Sequence, residues 1–154
     1  MLRRAAVFAV RRASSAAASL PAPKVSKKEK ILGLNQKLLD YIAAGDWAGY
    51  ASLCDPSLTC FEAEARGAFV EGLDFHKIYY SHESAPGETR KATMSAPHVR
   101  FLGERAAVLS YVRLVQKYSE GKGHSTLRVE ETRVWERSKD AWRLVHFHKS
   151  DLLK

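Results

Sequence analysis

The first 25 residues of this chain contain no acidic side chain, although they carry five basic ones (Arg3, Arg4, Arg11, Arg12 and Lys24). The whole chain has only two cysteines, Cys54 and Cys60. Their spacing fits no metal-ligand motif, and a two-thiol chain has no disulfide framework, so both are expected to be buried free thiols. No run approaches the roughly 18 apolar residues of a membrane-spanning helix. No internal repeat is visible. The signatures of a protein kinase are also missing: no glycine-rich nucleotide loop, no His-Arg-Asp loop and no Asp-Phe-Gly, Asp74-Phe75-His76 being only superficially similar to the last. A kinase lobe pair would also need about 250 further residues, beyond a single domain of this size.

The formal net charge is +8. Setting the five leading cations aside leaves 20 basic against 17 acidic residues. The basicity therefore belongs largely to the leader, and the body has no strong case for binding nucleic acid. The leader is rich in Arg, Ala and Ser and lacks acids, the composition of an organellar targeting segment. Residues 1–25 are thus expected to be a targeting leader and linker without a packed core, ending near Pro21-Ala22-Pro23. The expected destination is the mitochondrion, with the plastid or cytoplasm as alternatives. Residues 26–154 are expected to form one domain, since 154 residues suffice for a single core.

Within the body, Ser26 and Glu29 have capping-box spacing. Ile31, Leu34, Leu38, Tyr41 and Ile42 follow at helical period, and Gly45 is a natural stop. Asp46 is placed to cap a second, short helix facing inward with Trp47, Tyr50 and Leu53, which Asp55-Pro56 ends. Leu58–Glu62 reads as a strand, and Phe69–Gly72 as a turn-rich segment. Asp74 starts a third short helix carrying Phe75, Ile78 and Tyr79, and Ser81–Glu88 reads as a loop. The remainder is β: Thr89–Ala96 and His98–Leu102 around Pro97, then Ala106–Tyr118, His124–Arg137 and Ala141–Lys149, the last two joined at Lys139-Asp140. Helices first and antiparallel strands later make the class α+β.

Strand parity gives the side chains their faces. Leu109, Tyr111 and Arg113 share one face of their strand, and Val108, Val112 and Leu114 the other. On the last strand Val145, Phe147 and Lys149 oppose Trp142, Leu144, His146 and His148. Both faces are partly apolar, yet the helices can cover one side only. The other side is expected to meet a second copy of the chain, with Val112, Leu114, Trp142, Leu144, His146, His148 and Trp135 at the contact. His146-Phe147-His148 also places two imidazoles on one face, but no third ligand stands at useful spacing. Neither a metal nor a cofactor is expected.

Arg113, Arg133 and Lys149 have the same parity on three successive strands. Three converging cations would hold a carboxylate or an acidic peptide segment. The rival reading is internal pairing, with Glu131 beside Arg133 and with Glu62 or Glu64 neutralising another cation. Glu62, Glu64 and His76 also allow a proton-transfer site, although neighbouring cations would weaken a carboxylate base.

The body resembles the association (hub) domain of calcium/calmodulin-dependent protein kinase II. The residues that carry the resemblance are Gly45-Asp46, Cys54-Asp55-Pro56, Phe61 through Ala65, Val70 through His76, Pro97-His98-Val99, Tyr111-Val112-Arg113, Glu130 through Trp135 and Val145 through His148. They span about residues 26–150. The resemblance implies a cone-shaped fold like nuclear transport factor 2, a long N-terminal helix packed on a curved antiparallel sheet. It implies a ring-like homo-oligomer, commonly two stacked rings totalling twelve or fourteen subunits, that gathers kinase subunits without itself being catalytic. It also implies a pocket with cations at Arg113, Arg133 and Lys149, where the family has three arginines, and with His76 and Tyr50 beside them; Glu62 is a further candidate ligand-binding residue of the same pocket. Lysine at 149 lacks the two-pronged grip of arginine. The aromatic that the family often carries after the third helix is absent from Ser81-His82-Glu83-Ser84. Relatives of the same fold include isomerases, dehydratases and polyketide cyclases, so an isomerase- or cyclase-type enzyme is the alternative.

Overall fold

The computed structural model describes residues 25–80, 88–139 and 141–151. The leader, most of the expected 81–88 loop and Asp140 lie outside the described residues.

Helix α1 spans Lys27–Ala44. Ser26 Oγ accepts from the Glu29 N–H at 3.1 Å, and the Ser26 N–H donates to Glu29 Oε2 at 2.8 Å, so the capping box is closed. Gly45 ends the helix with φ +69, a left-handed cap that a Cβ would strain. Ile31, Leu38 and Leu39 are fully buried, which is worth about 1.5–3 kcal/mol each. Asn35 is buried with them, so the buried stripe is turned slightly from the one the sequence suggests, and Leu34, Tyr41 and Ile42 sit at its margins. Helix α2, Trp47–Leu53, is capped by Asp46 Oδ1, which accepts from the Gly49 N–H at 2.8 Å.

Strands β1 (Cys54–Phe61) and β2 (Val70–Glu71) flank a single 3-10 turn at Ala63–Ala65. Helix α3, Asp74–Tyr80, turns His76 inward, packs Phe75 against the core and leaves Ile78 and Tyr79 exposed. The polar His76 finds Cys60 and Glu62 inside. Then come β3 (Glu88–Leu102), β4 (Ala106–Ser119), β5 (Gly123–Ser138) and β6 (Ala141–Asp151). They form one six-stranded sheet in the order β2-β1-β6-β5-β4-β3. The meander β3 to β6 is antiparallel as expected, but β1 joins β6 in parallel. The class is α+β, with a mixed sheet.

Two irregularities shape the sheet. In β3, Ala96 has φ +48 and the register slips between Ser95 and His98. Pro97 lacks an N–H, and this edge strand absorbs it as a bulge instead of splitting in two. In β6 the register slips between His146, opposite Val134, and Leu144, opposite Trp135. Val145 is the extra residue.

That second bulge corrects the expected outer face. Strict alternation would send Trp142 and Leu144 to the side opposite Phe147. With Val145 inserted, Leu144 and Phe147 both turn into the core, at 0% and 4% exposure, and Trp142 joins them at 7%. Trp135, on the same face of β5 as Arg133, is fully buried. These three residues, Trp135, Trp142 and Leu144, pack against Leu109, Ala107 and Leu58 and take no part in the outer face. Val112, Leu114, His146 and His148 do lie on it, the first three half-buried and His148 exposed.

Candidate functional site

The sheet curves around a cavity of about 270 Å³. Tyr50, Glu62, His76, Arg113, Arg133 and Lys149, which come from α2, the end of β1, α3 and three successive strands, all line it. Parity explains the convergence. Tyr111 faces Glu131, Arg113 faces Val129, and Glu131 and Arg133 face Lys149 and Phe147 across the next pairing.

Internal pairing is extensive. Arg133 is 1% exposed and its Nε donates to Glu131 Oε2 and to the Tyr111 hydroxyl, each at 2.9 Å. Its guanidinium stacks on Phe147, 4.9 Å from the ring centre. Arg113 Nη1 reaches the other oxygen, Glu131 Oε1, at 3.2 Å. The Tyr111 hydroxyl donates to Glu131 as well. Burial alone would raise the Glu131 pKa, but Arg133, Arg113 and the tyrosine outweigh it and hold the carboxyl at about 2. Burial also works against the charge on Arg133, and Glu131 reverses that and raises its pKa.

On the neighbouring strand Lys149 binds Glu64 and lies 3.6 Å from Glu62 Oε2. Burial of Glu62 opposes its charge, yet the hydrogen bond from His76 and the Lys149 charge bring its pKa below the usual range. The Cys60 thiol, 3.3 Å from His76 Nε2, is pushed up to about 12 by burial and by Glu62. Both cysteines are free and buried. Tyr50 and Tyr80 form an aromatic wall, 5.4 Å between ring centres, and burial raises both hydroxyl pKa values.

The pairing leaves donors over. Arg113 Nε and Arg133 Nη1 are buried without a hydrogen-bond partner. Each is a costly orphan that a carboxylate oxygen would satisfy. Arg90 and Lys117 also line the cavity. They face each other across β3 and β4, and Lys117 has the parity of Arg113, so parity alone would have found them. Nothing in the sequence marks Cys60 as a neighbour of His76, because α3 brings them together from 16 positions apart.

The outer face carries a shallower groove of about 510 Å³, lined by His98, Val112, Glu130, Thr132 and His148 among others. His146 Nδ1 lies 2.8 Å from Thr59 Oγ1. Among the described residues His146 and His148 gather no third metal ligand.

The family model for the calcium/calmodulin dependent protein kinase II association domain matches residues 27–152. The chain belongs to that family. It is 46% identical over 129 residues to the calcium/calmodulin-dependent protein kinase type II alpha chain of Drosophila melanogaster. That match covers 81% of this chain and 24% of the fly protein, so the chain spans about a quarter of that relative's length. Among solved structures, the kinase II hub homology domain of Chlamydomonas reinhardtii superposes with a TM-score of 0.78 at 49% identity, covering 83% of this chain and all of that one. The association domain of C. elegans calcium/calmodulin-dependent kinase II gives 0.75 at 38%, covering 80% and 95%. A nuclear transport factor 2-like protein from Salmonella enterica, 20% identical with a TM-score of 0.63, shares the fold alone. The hub domain is therefore present in this chain as a cone-shaped shell around a charged, half-paired cavity.

Proposed function

We propose that this chain is a non-catalytic assembly module. It forms a ring-like homo-oligomer of twelve or fourteen subunits through its outer sheet face. The observation that carries this is the pairing of family membership with an unsealed face: Val108, Val112, Leu114, Val134 and Val145 stay partly exposed on strands whose other side holds the core and the cavity. Apolar side chains in such a row are normally covered by a partner. Of the residues expected at the contact, Val112, Leu114, His146 and His148 lie on this face, which supports a contact through them. Multi-angle light scattering of the purified chain at micromolar concentration tests this. A mass many times 17.2 kDa is expected, and a monodisperse monomer overturns it.

The cavity supports a second role within the same module, reception of a carboxylate, free or on an acidic peptide segment such as one presented by a kinase. The two orphaned arginine donors favour it. Arg113→Ala should abolish calorimetric binding of a small dicarboxylate while leaving the oligomer mass unchanged. Unaltered binding would make the cations purely structural. Proton-transfer chemistry has less support, because the depressed pKa of Glu62 makes it a weak base. The acid-free leader supports delivery to the mitochondrion, which a fluorescent fusion of residues 1–25 tests.

A further inference from the structure

Cys60, Glu62 and His76 come from the end of β1, the residue just beyond it and the first turn of α3. All three are buried, and their Sγ, carboxylate oxygen and ring nitrogen lie within 4.8 Å of one another. We propose that they form a three-ligand site for a divalent transition metal of the zinc type, open on the cavity side.

The geometry distinguishes this from a hydrogen-bonded cluster. The same atom, His76 Nε2, lies 3.3 Å from Cys60 Sγ and 3.3 Å from Glu62 Oε1. One ring nitrogen carries a single proton or a single lone pair, so it can serve only one of them fully. A relay of the nucleophile–base–carboxylate kind would instead use both ring nitrogens, and Nδ1 has no partner. Three atoms facing one point is the arrangement of a coordination shell. With Zn–S near 2.3 Å and Zn–N or Zn–O near 2.0 Å, tetrahedral ligands stand about 3.3–3.6 Å apart. The third separation, Cys60 Sγ to Glu62 Oε1, is 3.9 Å and needs only a small closure.

The surroundings fit. Lys149 approaches Glu62 through Oε2, which leaves Oε1 for the ion and orients the carboxylate from outside. Lys149 keeps Glu64 as a partner, and Arg113 and Arg133 keep Glu131, so no cation depends on Glu62 alone. Glu62 and His76 line the cavity, so a water can complete the shell from that side. Thiolate, imidazole and carboxylate together suit zinc and disfavour magnesium or calcium. Binding would release the thiol proton to solvent.

Cobalt(II) is the probe, added to the tag-free full chain under reducing, oxygen-free conditions. The expected spectrum has intense tetrahedral visible bands and a near-ultraviolet thiolate-to-cobalt band, at one equivalent per chain, all displaced by zinc. Cys60→Ser should remove the thiolate band with oligomer mass and circular dichroism unchanged, and Cys54→Ser should retain it. Glu62→Gln and His76→Gln should each weaken cobalt binding at least tenfold. No thiolate band in the unsubstituted chain would overturn the proposal without any variant. A band that survives Cys60→Ser would overturn it equally.

Discussion

Glu131→Gln should be among the most destabilising single changes in this domain. The carboxylate sits beneath two guanidinium groups, with Arg133 Nη2 at 2.9 Å and Arg113 Nη1 at 3.2 Å. At about 3 Å and an effective dielectric of about 20, one such contact carries about 5 kcal/mol of Coulomb energy. The amide of glutamine returns about 1 kcal/mol as a neutral hydrogen bond. Arg113 is partly open to water and loses little, but Arg133 is stranded as a buried cation. Removing one partner of a buried pair costs about 3–5 kcal/mol, and the same range is expected here. For a domain of this size that lowers Tm by about 10–20 °C, followed by circular dichroism at fixed protein concentration. Adding Arg133→Met removes the stranded charge and should recover much of the loss. A Glu131→Gln protein within about 1 kcal/mol of the parent would refute the reasoning, because the buried pair would then contribute nothing.

Acid should act through the same carboxyl. Its pKa is held at about 2 when folded against about 4.3 when unfolded, so its contribution is present above pH 4.3 and is lost as pH falls towards 2; melts between pH 6 and 2.5 should fall steeply, and less so in Glu131→Gln. The two faces of the sheet should respond differently. Leu144→Ala, fully buried, should cost about 2–5 kcal/mol in urea titration. Val112→Asp, half-buried on the outer face, should leave the far-ultraviolet spectrum intact and lower the particle mass in sedimentation. Gly45→Ala forces a Cβ into φ +69 and should cost about 1 kcal/mol by the same urea titration.

Local chemistry made much of this fold legible. Ser26, Glu29, Gly45 and Asp46 announce two helices because caps act within a few residues. Strand parity alone puts Arg113, Arg133 and Lys149 on one face, with Glu131 on the face of Arg133. Parity failed where the backbone breaks its own period. Val145 looks like any strand valine, yet it is the inserted residue that turns Trp142 and Leu144 inward. The parallel seam between β1 and β6 was also hidden, because it joins segments more than 80 positions apart. The place of His76 was legible through the resemblance alone: Phe75, Ile78 and Tyr79 around it are apolar, and nothing local says that the imidazole goes inside, where Glu62 and Cys60 meet it.

Electron micrographs of the purified full chain test the central claim most directly. Class averages should show closed rings with six- or seven-fold symmetry, the outer sheet faces of neighbouring subunits meeting around Val112 and Leu114. Fields of isolated particles of single-subunit size, at concentrations where the protein is folded, would contradict the account.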